Sequence, residues 1–327
     1  MYRENQSTDP VPKSKFSSWK IALRLLGTVL AIAILLTIVD LKSICDSIAH
    51  SNRRFLLAAA VLSLLSVAVI SLRLKLFLSV VKYPVSFRNC LTTTMCGLSL
   101  NLILPARGGD LLKLAYLPKR HESSWGTLAG AALLERFVDI LALGLIGLIA
   151  SLFLGLQNVT IIASLVVFVT ILGLLLLPRL GSFPVLGKKI GNFPKIIQEA
   201  SKKKRVLLAC FFTSCLCWTT NSIIMGLLVK AFDDSVATAH VFAATPPSIL
   251  AGIVPVSLWG VGTRDGAFAY FLQGVTAAEN ALSASFFYTV LVYWLLGLIG
   301  LPSLLFAKRK RLDTTDNAPE QNAPGFS

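Results

Sequence analysis

The stretch Glu135-Arg136-Phe137-Val138-Asp139 places three charged side chains inside a long apolar segment, 124–153. A charged side chain at the centre of a bilayer costs about 2.5 to 3.5 kcal/mol on insertion scales. A membrane helix that keeps three such charges must pair them, hydrate them or use them. This stretch therefore predicts a membrane protein with a polar interior.

The composition of the chain agrees with that prediction. Of the 327 residues, 55% are hydrophobic and 14% are charged, far from the balance of a soluble domain. A helix needs about 20 mostly apolar residues to cross the hydrocarbon. Four long segments carry no Asp, Glu, Lys or Arg at all: 55–72, 140–178, 206–229 and 280–307. The predicted class is therefore an all-α polytopic membrane protein.

The placement of basic residues predicts the orientation. The net charge is +15, and Lys and Arg concentrate in the N-terminus and in 82–120, 179–205 and 308–311. By the positive-inside rule these regions are cytoplasmic. Nucleic-acid-binding proteins also carry basic runs, but each run here adjoins a predicted span and none is interleaved with aromatic residues. We therefore expect no nucleic-acid partner.

Tracing the chain under this rule predicts six full crossings, at 21–39, 55–81, 124–153, 160–177, 206–229 and 280–306, with a tight external turn at Gln157-Asn158. The first is predicted to be a retained span, because no small-residue cleavage site follows it. The expected organisation is a cytoplasmic tail over 1–19, a transmembrane domain over 20–307 and a cytoplasmic tail over 308–327. We expect a bacterial inner-membrane protein with both termini in the cytoplasm.

Two further apolar segments are interrupted. The first, 89–104, meets Pro105 and Gly108-Gly109, and the second, 240–276, is broken by Pro246-Pro247, Pro255 and Gly260-Val261-Gly262. Irregular backbone at membrane depth is tolerated only where protein or a water-filled cavity satisfies it. Paired broken helices from opposite sides indicate a transporter site near the midplane. The sequence therefore predicts two opposed re-entrant helical hairpins besides the six spans.

Charged residues after the two interruptions complete a candidate substrate-binding site. We predict a near-neutral network that lines a hydrated cavity, in which Arg73, Arg107, Arg136 and Arg264 balance Asp110, Glu135, Asp139 and Asp265. Lys113 and the aromatic Trp259 complete the candidate site. The guanidinium groups of Arg107, Arg136 and Arg264 are predicted to donate to a phosphate, because their fork matches phosphate oxygens.

Simpler interpretations of these charges stay open. Glu135 and Asp139 share a helix face and Arg136 lies three residues before Asp139, so the trio could neutralise itself. A second simple interpretation is that these ion pairs only stabilise the packing of the helices and bind no substrate. For Arg73, near the inner end of the second span, the favoured interpretation is snorkelling of the side chain to the interface.

The motifs in their order resemble a known family. Pro105-Ala106-Arg107-Gly108-Gly109-Asp110-Leu111-Leu112-Lys113, then Glu135-Arg136-Phe137-Val138-Asp139, then Pro255 followed by Gly260-Val261-Gly262-Thr263-Arg264-Asp265-Gly266-Ala267-Phe268 is similar to the lysylphosphatidylglycerol synthase transmembrane region, a flippase-like integral membrane family. The resemblance extends from about the first span to the last. The family usually has Glu at or near the positions of Asp110 and Asp265 and Arg at that of Lys113. Bifunctional relatives carry an aminoacyltransferase domain after the membrane part, whereas only 312–327 follows here, so we expect no synthase activity.

Three classes of function remain. The resemblance favours a flippase-like protein that binds or translocates the phosphate-bearing headgroup of a membrane phospholipid in a polar intramembrane cavity. The alternatives are an ion-coupled transporter of a small solute, with Asp110, Glu135 or Asp265 as the proton carrier, and an accessory membrane subunit of a lipid-modifying system. An enzyme is disfavoured, because no nucleophile–base pair, metal set or nucleotide loop appears. We expect no metal and no cofactor, and a second copy or a separate lipid-modifying enzyme stays open as a partner.

Overall fold

The computed structural model describes residues 42, 46, 49–104, 108–117, 124–180, 193–253 and 260–316. Within these ranges every regular element is a helix, which confirms the predicted all-α class. The predicted first span at 21–39 lies outside the described residues. So do four of the residues that the sequence selected at or near the interruptions: Pro105, Arg107, Pro255 and Trp259.

The helices of the described part follow one another in chain order as α1 Arg53–Val80, α2 Phe87–Ile103, α3 Gly109–Leu112, α4 Trp125–Leu154, α5 Gln157–Leu180, α6 Phe193–Lys202, α7 Lys204–Phe232, α8 Thr238–Ile253, α9 Thr263–Phe271, α10 Ala278–Tyr288 and α11 Leu296–Asp316. A 3-10 turn, Lys113–Tyr116, continues α3, and a π-helical segment, Thr289–Leu295, joins α10 to α11.

Five stretches of the described chain are long and apolar enough to cross a membrane: Arg53–Val80, Trp125–Leu154, Gln157–Leu177, Lys204–Phe232 and Ala278–Phe306. They correspond to five of the six predicted spans. The polytopic architecture is therefore the one that the apolar runs predict.

The turn between α4 and α5 comes earlier than the sequence predicts. The predicted break at Gln157-Asn158 is wrong, because Gln157 is already the first residue of α5. Gly155 makes the turn with φ +67°, a left-handed conformation that glycine adopts without a Cβ clash. Its N–H bonds the carbonyl of Leu152 at 3.4 Å and closes α4.

The predicted break at Pro246-Pro247 is also wrong, because α8 runs through both prolines. Each proline lacks an N–H and leaves a carbonyl one turn earlier without its usual donor. Hydroxyl groups reinforce the same turns: Thr245 Oγ1 donates to the carbonyl of Val241 at 2.7 Å, and Ser248 Oγ donates to that of Ala244 at 2.6 Å. Hydroxyl side chains and packed neighbours of this kind allow proline inside buried membrane helices.

Bonds between helices show which helix ends lie together. The backbone N–H of Asn52, before α1, donates to the carbonyl of Ala231 near the end of α7 at 2.7 Å. At the opposite end, Lys203 Nζ donates to the carbonyl of Val80 at 2.8 Å. α1 and α7 are therefore antiparallel, as the traced topology requires. Which end faces the cytoplasm stays a prediction.

Both interrupted segments reverse direction. A Cβ added to Gly109 of α3 would lie 2.5 Å from the carbonyl oxygen of Gly97 in α2, so the two elements approach as only glycine allows. In the second segment, a Cβ added to Gly260 (φ +75°) would lie 3.0 Å from the Cα of Gly252. The chain after α9 returns to the end where α8 begins, because Thr276 Oγ1 donates to Asp233 Oδ2 at 2.6 Å. The depth of these hairpins in a bilayer stays a prediction.

Candidate functional site

Arg73 of α1 joins both carboxylates of α4. Its guanidinium lies 2.7 Å from Glu135 Oε1 and 2.7 Å from Asp139 Oδ1. The residue is 6% exposed, so the interpretation that Arg73 snorkels to the interface is wrong. The physical reason is that carboxylates one helical turn apart on α4 face the same neighbour, and one guanidinium can serve both.

Arg136 makes its closest contact outside α4. It forms an ion pair with Asp110 of α3, and Asn101 Nδ2 of α2 donates to the other Asp110 oxygen at 3.0 Å. Arg136 lies 3.7 Å from Asp139, so the predicted self-neutralisation within α4 is only its weaker contact. Arg136 thus ties α4 to the first hairpin.

Lys113 is the third cation of this cluster. It is 3% exposed, and a Cβ added to Gly97 would lie 2.8 Å from its Cδ, so Gly97 leaves the room that the side chain occupies. No described residue forms an ion pair or hydrogen bond with its ammonium group. Together the cluster holds three cations and three carboxylates: Arg73, Lys113, Arg136, Asp110, Glu135 and Asp139.

A partly open cavity of about 90 Å³ lies against this cluster, and we call it the inner cavity. Its charged and amide lining comprises Arg73, Asn101, Asp110, Lys113, Arg136 and Asn221. Trp218 and two tyrosines, Tyr288 and Tyr293, supply aromatic surface. A water site needs only about 10 to 15 Å³ by this kind of measure, so the inner cavity has room for several waters or one small anionic group.

Several residues that line the inner cavity are not among the site residues predicted from the sequence. An aromatic in an apolar run usually packs in a core or interface, so Trp218, Tyr288 and Tyr293 carried no signal. Asn101 and Asn221 do carry a signal in the sequence, because burying an amide side chain inside an otherwise apolar helix is energetically unfavourable. That signal could have selected both.

Arg264 and Asp265 form a second buried cluster at the start of α9. Asp265 pairs with the Arg264 guanidinium and accepts from the backbone N–H of Gly262 at 2.9 Å. Arg264 Nη2 donates to Thr289 Oγ1 at 2.5 Å and to the carbonyl of Ser285 at 3.2 Å. Neither Arg264 nor Asp265 is among the described residues that line the inner cavity. Their role in binding a substrate stays a prediction.

Two aromatic rings separate this second cluster from the inner cavity. The Arg264 guanidinium lies 5.2 Å from the ring centre of Tyr288 and 5.6 Å from that of Tyr293. The Tyr288 hydroxyl donates to Asn221 Oδ1 at 2.6 Å. Tyr293 belongs to the π-helical segment, and such segments often occur at functional sites.

Of the nine predicted site residues, five lie together in the charged cluster: Asp110, Lys113 and Arg136, which line the inner cavity, and Glu135 and Asp139, which lie behind Arg73. Arg264 and Asp265 make the second cluster behind the tyrosines. Arg107 and Trp259 lie outside the described residues.

The fold and this geometry define a polytopic membrane protein with buried ion-paired side chains beside a cavity that has both charged and apolar lining. The family model described as the lysylphosphatidylglycerol synthase TM region matches residues 21–300, and the chain belongs to that family. The resemblance that the motifs predict is thereby confirmed. The chain is also similar to a UPF0104 membrane protein of Methanothermobacter thermautotrophicus, with 23% identity over 323 residues that cover 87% of this chain and 95% of the relative.

Proposed function

We propose that this protein binds the phosphate-bearing headgroup of a membrane phospholipid in the inner cavity and moves it between leaflets. The observation that carries the proposal is the charge of the cavity wall. Three cations, Arg73, Lys113 and Arg136, line it, whereas Asp110 is the one carboxylate among its described lining residues. The other two carboxylates of the cluster lie behind Arg73.

This arrangement separates two roles for the charges. Glu135 and Asp139 hold the Arg73 guanidinium and offset the cost of burying it. The cavity itself keeps a local excess of positive charge, which favours an anion. The amides of Asn101 and Asn221 add groups that can donate to phosphate oxygens.

A lipid fits the surroundings of the cavity better than a whole soluble solute does. A volume of about 90 Å³ suits a headgroup fragment, and the helices around it expose large apolar side chains such as Leu65, Phe153 and Leu216. Such surfaces suit contact with hydrocarbon. Acyl chains would stay in the bilayer while the phosphate enters the protein.

The experiment reconstitutes the protein in liposomes that contain acyl-labelled fluorescent phosphatidylglycerol or a labelled diacylglycerol glycolipid without phosphate. Dithionite quenches the outer leaflet, so loss of the protected inner fraction reports redistribution. We expect wild-type protein to redistribute phosphatidylglycerol and not the glycolipid. Equal redistribution of both lipids, or of neither, would contradict the headgroup site.

Lys113 provides the test of the site itself. Lys113→Met removes a cavity cation without removing an ion-pair partner of a described residue, so redistribution should fall by about tenfold, the factor that roughly 1.4 kcal/mol produces. Lys113→Arg keeps the charge and should retain most of it. Lys75→Met, on the exposed side of α1, is the matched control. Uptake of free inorganic phosphate without lipid redistribution would instead support the transporter of a small solute.

A further inference from the structure

A second cavity lies beside the inner one, between α3 and α4. Its volume is about 320 Å³, and we call it the α3–α4 crevice. Its apolar lining comprises Leu111, Ala129, Ala132 and Leu133, and its charged lining comprises Asp110, Glu135 and Arg136. The crevice is therefore amphipathic.

The two cavities share one ion pair as a common wall. Asp110 and Arg136 line both the inner cavity and the crevice. Their side chains are 21% and 33% exposed, whereas those of Arg73 and Glu135 are 7% and 3% exposed. The Asp110–Arg136 pair is thus the accessible part of the charge network.

The outer part of the crevice is apolar and open. Leu111 is 44% exposed and Leu133 is 42% exposed, and α4 is long and apolar enough to cross a membrane. An exposed leucine on such a helix is suited to contact with acyl chains. The small side chains of Ala129 and Ala132 leave the space between these leucines and the charged base.

We propose that the α3–α4 crevice is the lateral entrance of the inner cavity, occupied by a phospholipid whose phosphate meets Arg136 while its acyl chains lie against Leu111 and Leu133. This inference rests on the proposed function and adds the route and the first contact. The match is one of polarity: a phospholipid carries an anionic group at one end and apolar chains at the other, as the crevice carries a cation at its base and leucines at its mouth.

The Asp110–Arg136 pair then acts as the barrier between the two cavities. A phosphate can replace the Asp110 carboxylate at the Arg136 guanidinium, because the fork binds both groups in the same manner. Asp110 keeps a donor after that exchange, since Asn101 Nδ2 bonds its other oxygen at 3.0 Å. The exchange opens a path to Lys113 and Arg73, which line only the inner cavity.

The test blocks the crevice after the protein has folded. Ala132→Cys places a thiol in the crevice, and Ile162→Cys places one at a 40% exposed position of α5 outside it. Each reconstituted variant is treated with methyl or benzyl methanethiosulfonate and then with dithiothreitol. Wild-type protein treated in the same way controls for its own cysteines, of which those in the described part are buried or half-buried.

We expect the benzyl adduct at position 132 to reduce phosphatidylglycerol redistribution by about tenfold, equivalent to roughly 1.4 kcal/mol. The methyl adduct should reduce it less, and dithiothreitol should restore it in both cases. The adduct at position 162 should have no effect. Recovery with dithiothreitol shows that the blocked protein was folded.

The outcomes separate the two proposals. If wild-type protein redistributes no phosphate-bearing lipid, the proposed function fails and the entrance role fails with it. If wild-type protein redistributes lipid and the benzyl adduct at position 132 does not slow it, the entrance role alone is wrong. Disulfide dimers of Ala132→Cys, or its cross-linking to another protein in native membranes, would show that a polypeptide occupies the crevice and would also overturn the entrance role.

Discussion

Arg73 on α1 lies 2.7 Å from Asp139 on α4, although the two residues are 66 positions apart in sequence. The bond joins two of the helices that are long and apolar enough to cross a membrane. Because Glu135 contacts the same guanidinium, Arg73 is held by two carboxylates that lie one helical turn apart on the same face of α4. The buried charges of this protein are therefore a connected structure, and each removal has a consequence for the others.

Removing Arg73 should destabilise the protein strongly. Arg73→Met leaves Glu135 and Asp139 buried without their shared partner, and breaking a buried pair in this way costs about 3 to 5 kcal/mol. The triple variant Arg73→Met, Glu135→Gln, Asp139→Asn removes the stranded charges and should recover much of that loss. The measurement is thermal unfolding in detergent, with Lys75→Met on the exposed side of α1 as control. Strictly additive losses would show that the three residues are not coupled.

Gly97 should control the position of Lys113. The Cβ of Gly97→Ala would lie 2.8 Å from Lys113 Cδ and 3.1 Å from Lys113 Cβ, so the lysine side chain must move and its backbone must shift by a few tenths of an ångström. We expect slower lipid redistribution with a small decrease in melting temperature. Gly226→Ala is the matched control, because its Cβ would lie 3.6 Å from Thr238 Cγ2, an ordinary contact. If Gly97→Ala acts through Lys113, adding it to Lys113→Met should cause no further loss; a further loss would refute this coupling.

The bond between Asp233 and Thr276 should make one end of the protein sensitive to acid. Hydrogen bonds from Ser235 and then Thr276 hold the pKa of Asp233 below its ordinary value. A lowered folded-state pKa means that the stabilisation is present above the unfolded value of about 3.9 and is lost as pH falls through the folded value. Asp233→Asn should therefore lower the melting temperature at pH 6 and make no difference at strongly acid pH.

The expected size of the Asp233 effect is small, under about 1 kcal/mol, because the side chain is partly exposed. Asp234→Asn is the control, since the exposed Asp234 takes part in neither the Ser235 nor the Thr276 bonds of Asp233 and instead lies 3.4 Å from Lys230, its ion-pair partner. An equal effect of both substitutions, or a difference that persists in strong acid, would be inconsistent with the assignment.

The orientation of the chain is testable by labelling. The positive-inside rule predicts that Lys204→Cys, at the basic start of α7, is cytoplasmic and that Asp234→Cys is external. The structure places these positions at opposite ends of α7. A membrane-impermeant maleimide applied to intact cells should modify position 234 and not 204, with wild-type protein as control for the native thiols. Modification of 204 alone would mean that the orientation is inverted.

The apolar runs predict most of the fold, because a span of about 20 residues is a strong signal. They could not predict the turn at Gly155, where one glycine in the left-handed conformation ends α4 two residues before the polar pair Gln157-Asn158. They also could not predict that α8 continues through Pro246, since the packing of Pro246 against Gly147 of α4 is not visible in the local sequence.

The candidate site was predictable in its charges and unpredictable in its partners. Charged side chains within apolar runs are easy to select from the sequence, because they are energetically unfavourable in a bilayer and therefore rare there. Pairing is a property of helix packing: the sequence suggests Arg136 as partner for Asp139 because it is three residues away, whereas packing brings Arg73 from another helix to 2.7 Å. Val292 and Tyr293 line the inner cavity and belong to the π-helical segment. The apolar pattern of the sequence could not predict this segment, because it is the same for an α-helix and for a short π-helical turn within one.

The last prediction concerns Arg264, which the sequence selects as a phosphate ligand. In the structure its guanidinium contacts Asp265, Ser285 and Thr289 and lies 5.2 Å from the ring centre of Tyr288 and 5.6 Å from that of Tyr293. A lysine cannot make these contacts together, because it lacks the planar fork. If Arg264 only supports Tyr288 and Tyr293, which line the inner cavity, Arg264→Lys should clearly lower the melting temperature. Lipid redistribution per folded molecule should then fall much less than the melting temperature suggests. If Arg264 binds the phosphate directly, the same variant should melt like wild type and lose redistribution.

Two further substitutions separate these cases. Thr289→Val removes one partner of Arg264 without touching any group that a lipid could bind, so it should reproduce part of the destabilisation only if the supporting role is correct. Tyr293→Phe keeps the ring that faces Arg264 and should leave stability nearly unchanged. Melting temperature and redistribution are measured on the same preparations. A stable Arg264→Lys protein that no longer redistributes phosphatidylglycerol, together with a silent Thr289→Val, would assign Arg264 to the substrate and extend the binding site beyond the inner cavity.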